Sequence, residues 1–263
     1  MENYKTMAPS EIRNLIRNQE ITGPTAGMSK GFTQANLVIL KKEHAFDFLL
    51  FCQRNPKPCP LLDVTEAGSF TPVKIANGAD IRKDIPKYRI YKDGKYTNEV
   101  TDITEYWEDD MVGFLLGCSF TFETPLLAAG IPIRHIEEKC NVPMYKTNIP
   151  CEKAGVFEGP TVVSMRPMSH ADAIRAVQIT SRFPSVHGAP IHIGDPSQIG
   201  ITDITKPDFG DAVTIKDGEV PVFWACGVTP QAVAMQSKPS IMITHAPGCM
   251  FISDVKDETL SVL

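Results

Sequence analysis

An apolar run from Pro221 to Ala225 stops at Cys226-Gly227, Thr229-Pro230 opens a helix, and a second apolar run, Ile241 to Thr244, ends at His245 before the turn Pro247-Gly248. That order reads as strand, helix, strand. It has the shape of a β-α-β unit, in which ligands bind outside the carboxyl ends of the strands. Cys226, Gly227 and His245 are then expected at one rim of a common crevice. Pro230 at the first helical position loses nothing, because that N–H has no partner within the helix, and Thr229 before it is expected to act as the cap.

The rest of the chain supplies elements to cover such a sheet. Ser10, Ile12, Leu15 and Ile16 behind Pro9 predict a helix over 9–18. Leu37, Leu40, His44, Phe48 and Phe51 at helical spacing predict a long helix over 34–54, ended by Asn55-Pro56. Residues 60–64 read as a buried strand, and 88–96, split by Asp93-Gly94, as a hairpin. Residues 103–116 read as a helix broken at Gly117-Cys118-Ser119, with a second helix over 120–129. Beyond Gly130 the texture changes, with strands at 161–165 and 188–193 around a helix over 173–182 that Met168-Ser169-His170-Ala171-Asp172 opens. The expected fold is therefore α/β. A larger three-layer domain (1–130 and 215–263) carries a smaller two-layer α+β insert (131–214).

Composition narrows the function. Formal net charge is −5 and no Lys/Arg-rich run occurs, so a nucleic-acid partner is not expected. No window reaches the roughly 18 apolar residues of a membrane span. The start Met1-Glu2-Asn3-Tyr4-Lys5 lacks the apolar core of a signal peptide. Seven scattered cysteines with no CxxC pair read as reduced thiols of a cytoplasmic protein rather than a zinc site. No GxGxxG or GxxxxGK[ST] string is present, so no nucleotide cofactor is expected. A divalent metal stays open through Asp195, Asp203, Asp208 and Asp211, for which solvated loop acids are the ordinary explanation. A homo-oligomer is also left open.

The candidate chemistry follows from position. Backbone donors of Gly227, Val228, Thr229 and Gln231 at a helix N-terminus suit a carboxylate. Cys226 beside them is either a thiolate activated by the helix or an inert buried thiol. His245 is the candidate acid/base, or a structural histidine bonded to backbone, with Asp254 as an orienting group or a surface carboxylate. Arg166, after a strand, is a candidate for a bidentate carboxylate contact. Cys118, Ser119 and Glu123 surround a helix start where Ser is an ordinary cap. His187 and His192 lie five apart on extended chain, hence on opposite faces.

The strings FLLGCSFTFE (114–123), HGAPIHIGDP (187–196), PVFWACGVTPQ (221–231) and THAPGCMFISD (244–254) resemble the bacterial hydro-lyase family that includes the D-glutamate cyclases. The resemblance extends over nearly the whole chain. It implies a two-domain α/β architecture and a lyase that removes water from a small amino or carboxylic acid. For the cyclase members it implies conversion of D-glutamate to 5-oxo-D-proline. It brings no catalytic set. The chemistry needs a base, an acid and oxyanion donors, for which His245, His192 or Glu123, and the 227–231 backbone are the expected groups, with Arg166 on a carboxylate. Alternatives are a non-catalytic carboxylate-binding protein and a two-thiol racemase using Cys226 and Cys249.

Overall fold

The computed structural model describes residues 3–262; Met1 and Glu2 of the N-terminal stretch and Leu263 lie outside it. Helix α1 (Pro9–Arg17) starts with Pro at its first position, and the Glu11 carboxylate accepts the Ala8 N–H over 2.8 Å. Strand β1 (Phe32–Lys41) runs directly into α2 (Lys42–Arg54). Then come β2 (Leu61–Val64), the hairpin β3 (Tyr88–Lys92) and β4 (Lys95–Val100), β5 (Met111–Gly117) and α3 (Phe120–Ala128). At the hairpin turn Asp93 and Gly94 have φ of 49° and 75°, the left-handed pair that a tight two-residue turn requires.

After α4 (Arg134–Glu138) follow β6 (Met144–Pro150), β7 (Pro160–Ser169), α5 (His170–Thr180) and the short β8 (His192–Ile193). The chain ends with β9 (Glu219–Ala225), α6 (Thr229–Ser237), β10 (Ile241–His245) and β11 (Phe251–Lys256). The Ser169 hydroxyl caps α5 by accepting the Asp172 N–H.

The α/β class holds: the described residues form two sheets and six α-helices. The larger sheet has the order β2-β5-β1-β10-β3-β4, with β11 also on β1; the smaller has the order β6-β7-β9-β8. Every pairing between these strands is antiparallel. On one face of the larger sheet Val38, Leu40, Phe114 and Met242 pack on Phe48 and Phe51 of α2 and Val233 of α6. On the other, Leu37, Ile39, Leu115 and Ile243 pack under the 75–107 segment. In the smaller sheet Met168, Val222 and Trp224 pack on Phe122 of α3 and Ala173 of α5.

Three sequence expectations are corrected. β9 and β10 do not form a β-α-β unit: β9 pairs with β7 in the smaller sheet and β10 lies between β1 and β3 in the larger. Helix α6 carries the chain from one sheet to the other, and a strand-helix-strand sequence looks the same in both cases. The helix expected over 34–54 is β1 followed by α2, and the helix expected over 103–116 contains β5. Eight consecutive residues of β1 and all seven of β5 are buried. A strand covered on both faces loses the alternation that would mark it.

One irregularity positions the site. Along a single edge of β1, Ala35 pairs with Phe251 of β11, and Val38 pairs with Thr244 of β10. Asn36 and Leu37 fall in the gap between the two partner strands. His245 fills it: its Nδ1 accepts the Leu37 N–H over 3.1 Å.

Candidate active site

Strands β5 and β9 are each followed by a cysteine and then a helix: Cys118 before α3 and Cys226 before α6. The first belongs to the larger sheet and the second to the smaller, so the two strand ends meet at the seam between sheets. Asn36, in the gap of β1, joins them. Its Nδ2 donates to Gly117 O over 2.7 Å, and a Cβ on Gly227 would lie 2.0 Å from that same nitrogen. Only glycine at 227 leaves room for the amide. Gly117 is equally confined, since a Cβ there would meet Ser185 O at 2.2 Å.

At this seam lies a charged cluster closed to water. Arg166 of β7 is fully buried. Its Nε donates to Glu123 Oε1 over 3.1 Å, its Nη2 to Ser119 Oγ over 3.1 Å and to Glu123 Oε1, and its Nη1 to Ser164 Oγ over 3.0 Å. The guanidinium stands 5.3 Å from the Phe122 ring and 5.4 Å from that of Trp224. His135 Nε2 lies 3.4 Å from the same Glu123 oxygen, while its Nδ1 is buried without a partner. Burial pushes the Glu123 carboxyl up, but Arg166 and then His135 outweigh it and hold it down at about 2. Glu123 is thus an anion at any pH of interest, fit to balance charge and too weak a base to take a proton.

Both thiols are held in the protonated form. Burial pushes Cys226 up to about 11 against the Val228 N–H that its sulfur accepts, and raises Cys118 further against the Phe120 N–H. The helix N-terminus expected to bind a substrate anion is therefore occupied by its own cysteine. Thr229 is not the cap of α6; it is the first helical residue behind Val228, and its hydroxyl donates to Cys226 O over 2.7 Å and accepts the Val162 N–H. Gln231 is also structural, donating to His245 O over 3.2 Å. Ser119 occupies the cap position of α3 without capping it, its hydroxyl being taken by Arg166.

The expected histidines change places. His245 is buried and held down to about 4, by burial above all, and its ring fills the gap beside β1 as described. His192 lies on the wrong face. Its ring packs 5.7 Å from Phe223, whose cluster covers the side of the smaller sheet opposite Arg166, and its Nε2 bonds Asp195 O over 2.8 Å. His187 takes its place beside Arg166.

The His187 backbone is left-handed, with φ 84°, an uncommon conformation for a non-glycine residue. Its Nδ1 lies 2.6 Å from Lys57 O. A carbonyl only accepts, so Nδ1 carries the proton and Nε2 is a bare lone pair. That Nε2 is buried with no partner of hydrogen-bonding geometry among the described residues, the Gly117 carbonyl being the other backbone acceptor near the ring. Burial first, and the neighbouring Arg166 charge, hold this imidazole down to about 4, hence neutral. The sequence signal for His187 was its place before Gly188-Ala189-Pro190, shared with His192.

Other expected residues have local tasks. Asp254 pairs with Arg13 at 2.9 Å. Asp195 and Asp203 accept the Ser197 and Thr205 N–H groups, and Asp208 and Asp211 those of Lys146 and Asn141. Among the described residues no three His, Cys, Asp or Glu side chains converge as a metal-ligand group. Cys249 neighbours Lys87, Glu99 and Arg89, whereas Cys226 neighbours Cys118. No described helix is long and apolar enough to cross a membrane.

Comparison with known proteins bears on the same segments. The D-glutamate cyclase family model matches residues 112–254, which include all but the first residue of β5, and Arg166, His187 and Cys226. A Geobacillus kaustophilus protein named "Putative hydro-lyase" is 71% identical over 98% of both chains. A Bacillus subtilis protein of the same description is 68% identical over 98% of this chain and all of its own, and one from Stutzerimonas stutzeri is 63% identical over 99% and 98%.

Proposed function

Because the chain belongs to the D-glutamate cyclase family of hydro-lyases, we propose that it closes D-glutamate to 5-oxo-D-proline with loss of water at the Arg166–Glu123–His187 cluster. The observation that carries this reading is the bare Nε2 of His187 in the same closed site as Arg166. In the reaction the α-ammonium group loses two protons, one before and one after its nitrogen bonds to the side-chain carboxyl carbon. One oxygen of that carboxyl then departs as water.

Each need has a group to meet it. Arg166 holds the side-chain carboxylate and stabilises the oxyanion of the tetrahedral intermediate, the strongest use of a cation in a water-excluded site. His187 Nε2 takes the ammonium proton and returns it to the departing oxygen, and it relays in the same way the second proton that the nitrogen sheds once the C–N bond has formed, so that the oxygen leaves as water. A bound carboxylate offsets the Arg166 charge that helps to depress His187, so substrate binding itself raises the histidine toward the range a base needs. Glu123 keeps the site neutral before substrate arrives, and Cys118 and Cys226, held as thiols, are weak donors. The cluster is closed, so turnover requires the seam between the sheets to open.

The test is chromatographic detection of 5-oxoproline from D-glutamate with the wild-type protein, His187→Gln and Arg166→Met. The expected outcome is product with wild type and a loss of about a hundredfold or more in either variant. Wild type that turns over none of a panel of amino and hydroxy acids defeats the enzymatic reading. Full activity in His187→Gln defeats the assignment of the base.

A further inference from the structure

A recess opens at the same seam, outside the closed cluster. It is a cleft of about 470 Å³ bounded on the larger-sheet side by Lys87, Arg89, Glu99 and the 246–249 turn, and on the smaller-sheet side by Asn141 and the loop from Asp208 to Asp211. A volume of this size accommodates a small ligand. Its walls carry opposite charge. The cations stand on the β3 side and the two aspartates face them from the 208–211 loop.

The cations are loosely held, Arg89 also lying over the Tyr96 ring at 5.7 Å. Lys87 Nζ and Arg89 Nε reach separate oxygens of Glu99 at 3.3 and 3.4 Å, beyond the roughly 2.7–2.9 Å of a close charge-assisted bond, and both side chains remain partly exposed. The aspartates are fixed through one oxygen each. Asp208 Oδ2 accepts the Lys146 N–H and Asp211 Oδ2 the Asn141 N–H, both over 2.8 Å. Their other oxygens make no close bond to the protein; that of Asp208 has Lys146 Nζ at 3.9 Å. A cleft polarised in this way orients a dipolar ligand, with its anionic end toward β3 and its cationic end toward the loop.

We infer that the cleft is a binding site for an α-amino acid zwitterion, its carboxylate on Lys87 and Arg89 and its ammonium on Asp208 and Asp211. The site borders the apolar cluster that holds the buried thiol, because Phe209 both lines the cleft and packs against the cluster of Val142, Met144, Cys226 and Val228. It is therefore placed to receive an amino acid before the seam opens. The inference rests on the cyclase reading only for its choice of probe.

The test is titration calorimetry of D-glutamate and of glutarate, which keeps both carboxylates and lacks the ammonium. The His187→Gln background silences turnover. D-glutamate is expected to bind there, and to lose about tenfold or more in affinity on adding Arg89→Met or, as a second reading of the same wall, Lys87→Met. Arg89→Lys keeps the charge and loses less. Asp208→Asn with Asp211→Asn weakens D-glutamate and leaves glutarate unchanged or tighter. The site is refuted if D-glutamate does not bind, if neither cation variant changes its affinity, or if the aspartate pair affects both ligands alike. Binding lost with Lys87 and Arg89 in a protein that makes no 5-oxoproline would support the site while defeating the cyclase. Turnover lost with His187 and D-glutamate affinity indifferent to either cation would do the reverse.

Discussion

Gly227→Ala tests the seam at its tightest point. The added methyl would sit 2.0 Å from Asn36 Nδ2, 2.3 Å from its Cγ and 2.6 Å from its Oδ1. Real carbon contacts lie near 3.4 Å or beyond, so the amide has to retreat by roughly 1 Å or more. It cannot do so and still donate to Gly117 O at 2.7 Å. Overpacking costs about 1–3 kcal/mol and an orphaned buried carbonyl about 1–3 more, partly overlapping, so a loss of about 2–4 kcal/mol is expected. For a chain of this size that is about 5–15 °C in Tm. Urea unfolding followed by circular dichroism gives the free energy, and calorimetry the Tm. Asn36→Ala removes the clash together with the bond. The double variant is therefore expected to lose at least about 1 kcal/mol less than the two single losses added together. A loss below about 0.5 kcal/mol for Gly227→Ala, or strict additivity, would show that the glycine is not confined by the amide.

Arg166→Met leaves Glu123 buried and uncompensated, with an expected loss of about 3–5 kcal/mol in urea unfolding as well as of activity. Arg166→Lys is expected not to restore activity, because one ammonium does not reach Glu123, Ser119 and Ser164 together as the guanidinium does; wild-type turnover in that variant would refute the geometry. His187 and His245, held down to about 4 mainly by burial, contribute stability that is fully present above about 6.5 and is lost as pH falls through 4. Each shift is worth on the order of 3 kcal/mol. Asp257 works the other way: burial raises it to about 6, so its contribution is present below its ordinary value of 3.8 and is lost as pH rises through 6. Asp257→Asn is therefore expected to steepen the loss of stability between pH 6.5 and 4, and His245→Gln to flatten it, in urea titrations at stepped pH; slopes unchanged in both would refute the assignment. His192→Ala, on the far face of the smaller sheet, is expected to keep its turnover within about twofold, and a large drop would mean that His192 reaches the chemistry.

Local signals were legible where one face of an element meets water or where a turn imposes special geometry. Pro9 opened α1, Asp93-Gly94 gave the β3–β4 turn, and Ser169 capped α5, each through an interaction within a few residues. β1 and β5 were misread as helix because both faces are buried, which erases period 2 and leaves an apolar run that fits either period. The candidate site was legible as residue types at strand ends. Cys118, Ser119, Glu123, Arg166 and Cys226 come together at the seam, whereas His192 does not, because its neighbour Phe223 faces the other side of the sheet. His187 could not be chosen over His192 from spacing, since what distinguishes it is Lys57, a residue 130 positions away.

The sequence by itself determined the α/β class, the helix starts at Pro9 and Ser169, the strand-break-helix form of 221–231 and the set of reactive side chains, because these depend on propensities and contacts along the chain. The tertiary structure alone decided that β9 and β10 lie in different sheets, that β10 and β11 leave a gap on β1, and that Asn36 occupies it between Gly117 and Gly227. The same burial that closes this seam keeps two thiols protonated, Glu123 ionised against Arg166, and one nitrogen of His187 bare. Protonation at such a site follows from desolvation and from charges brought near by folding, and neither is a property of a residue's place in the sequence.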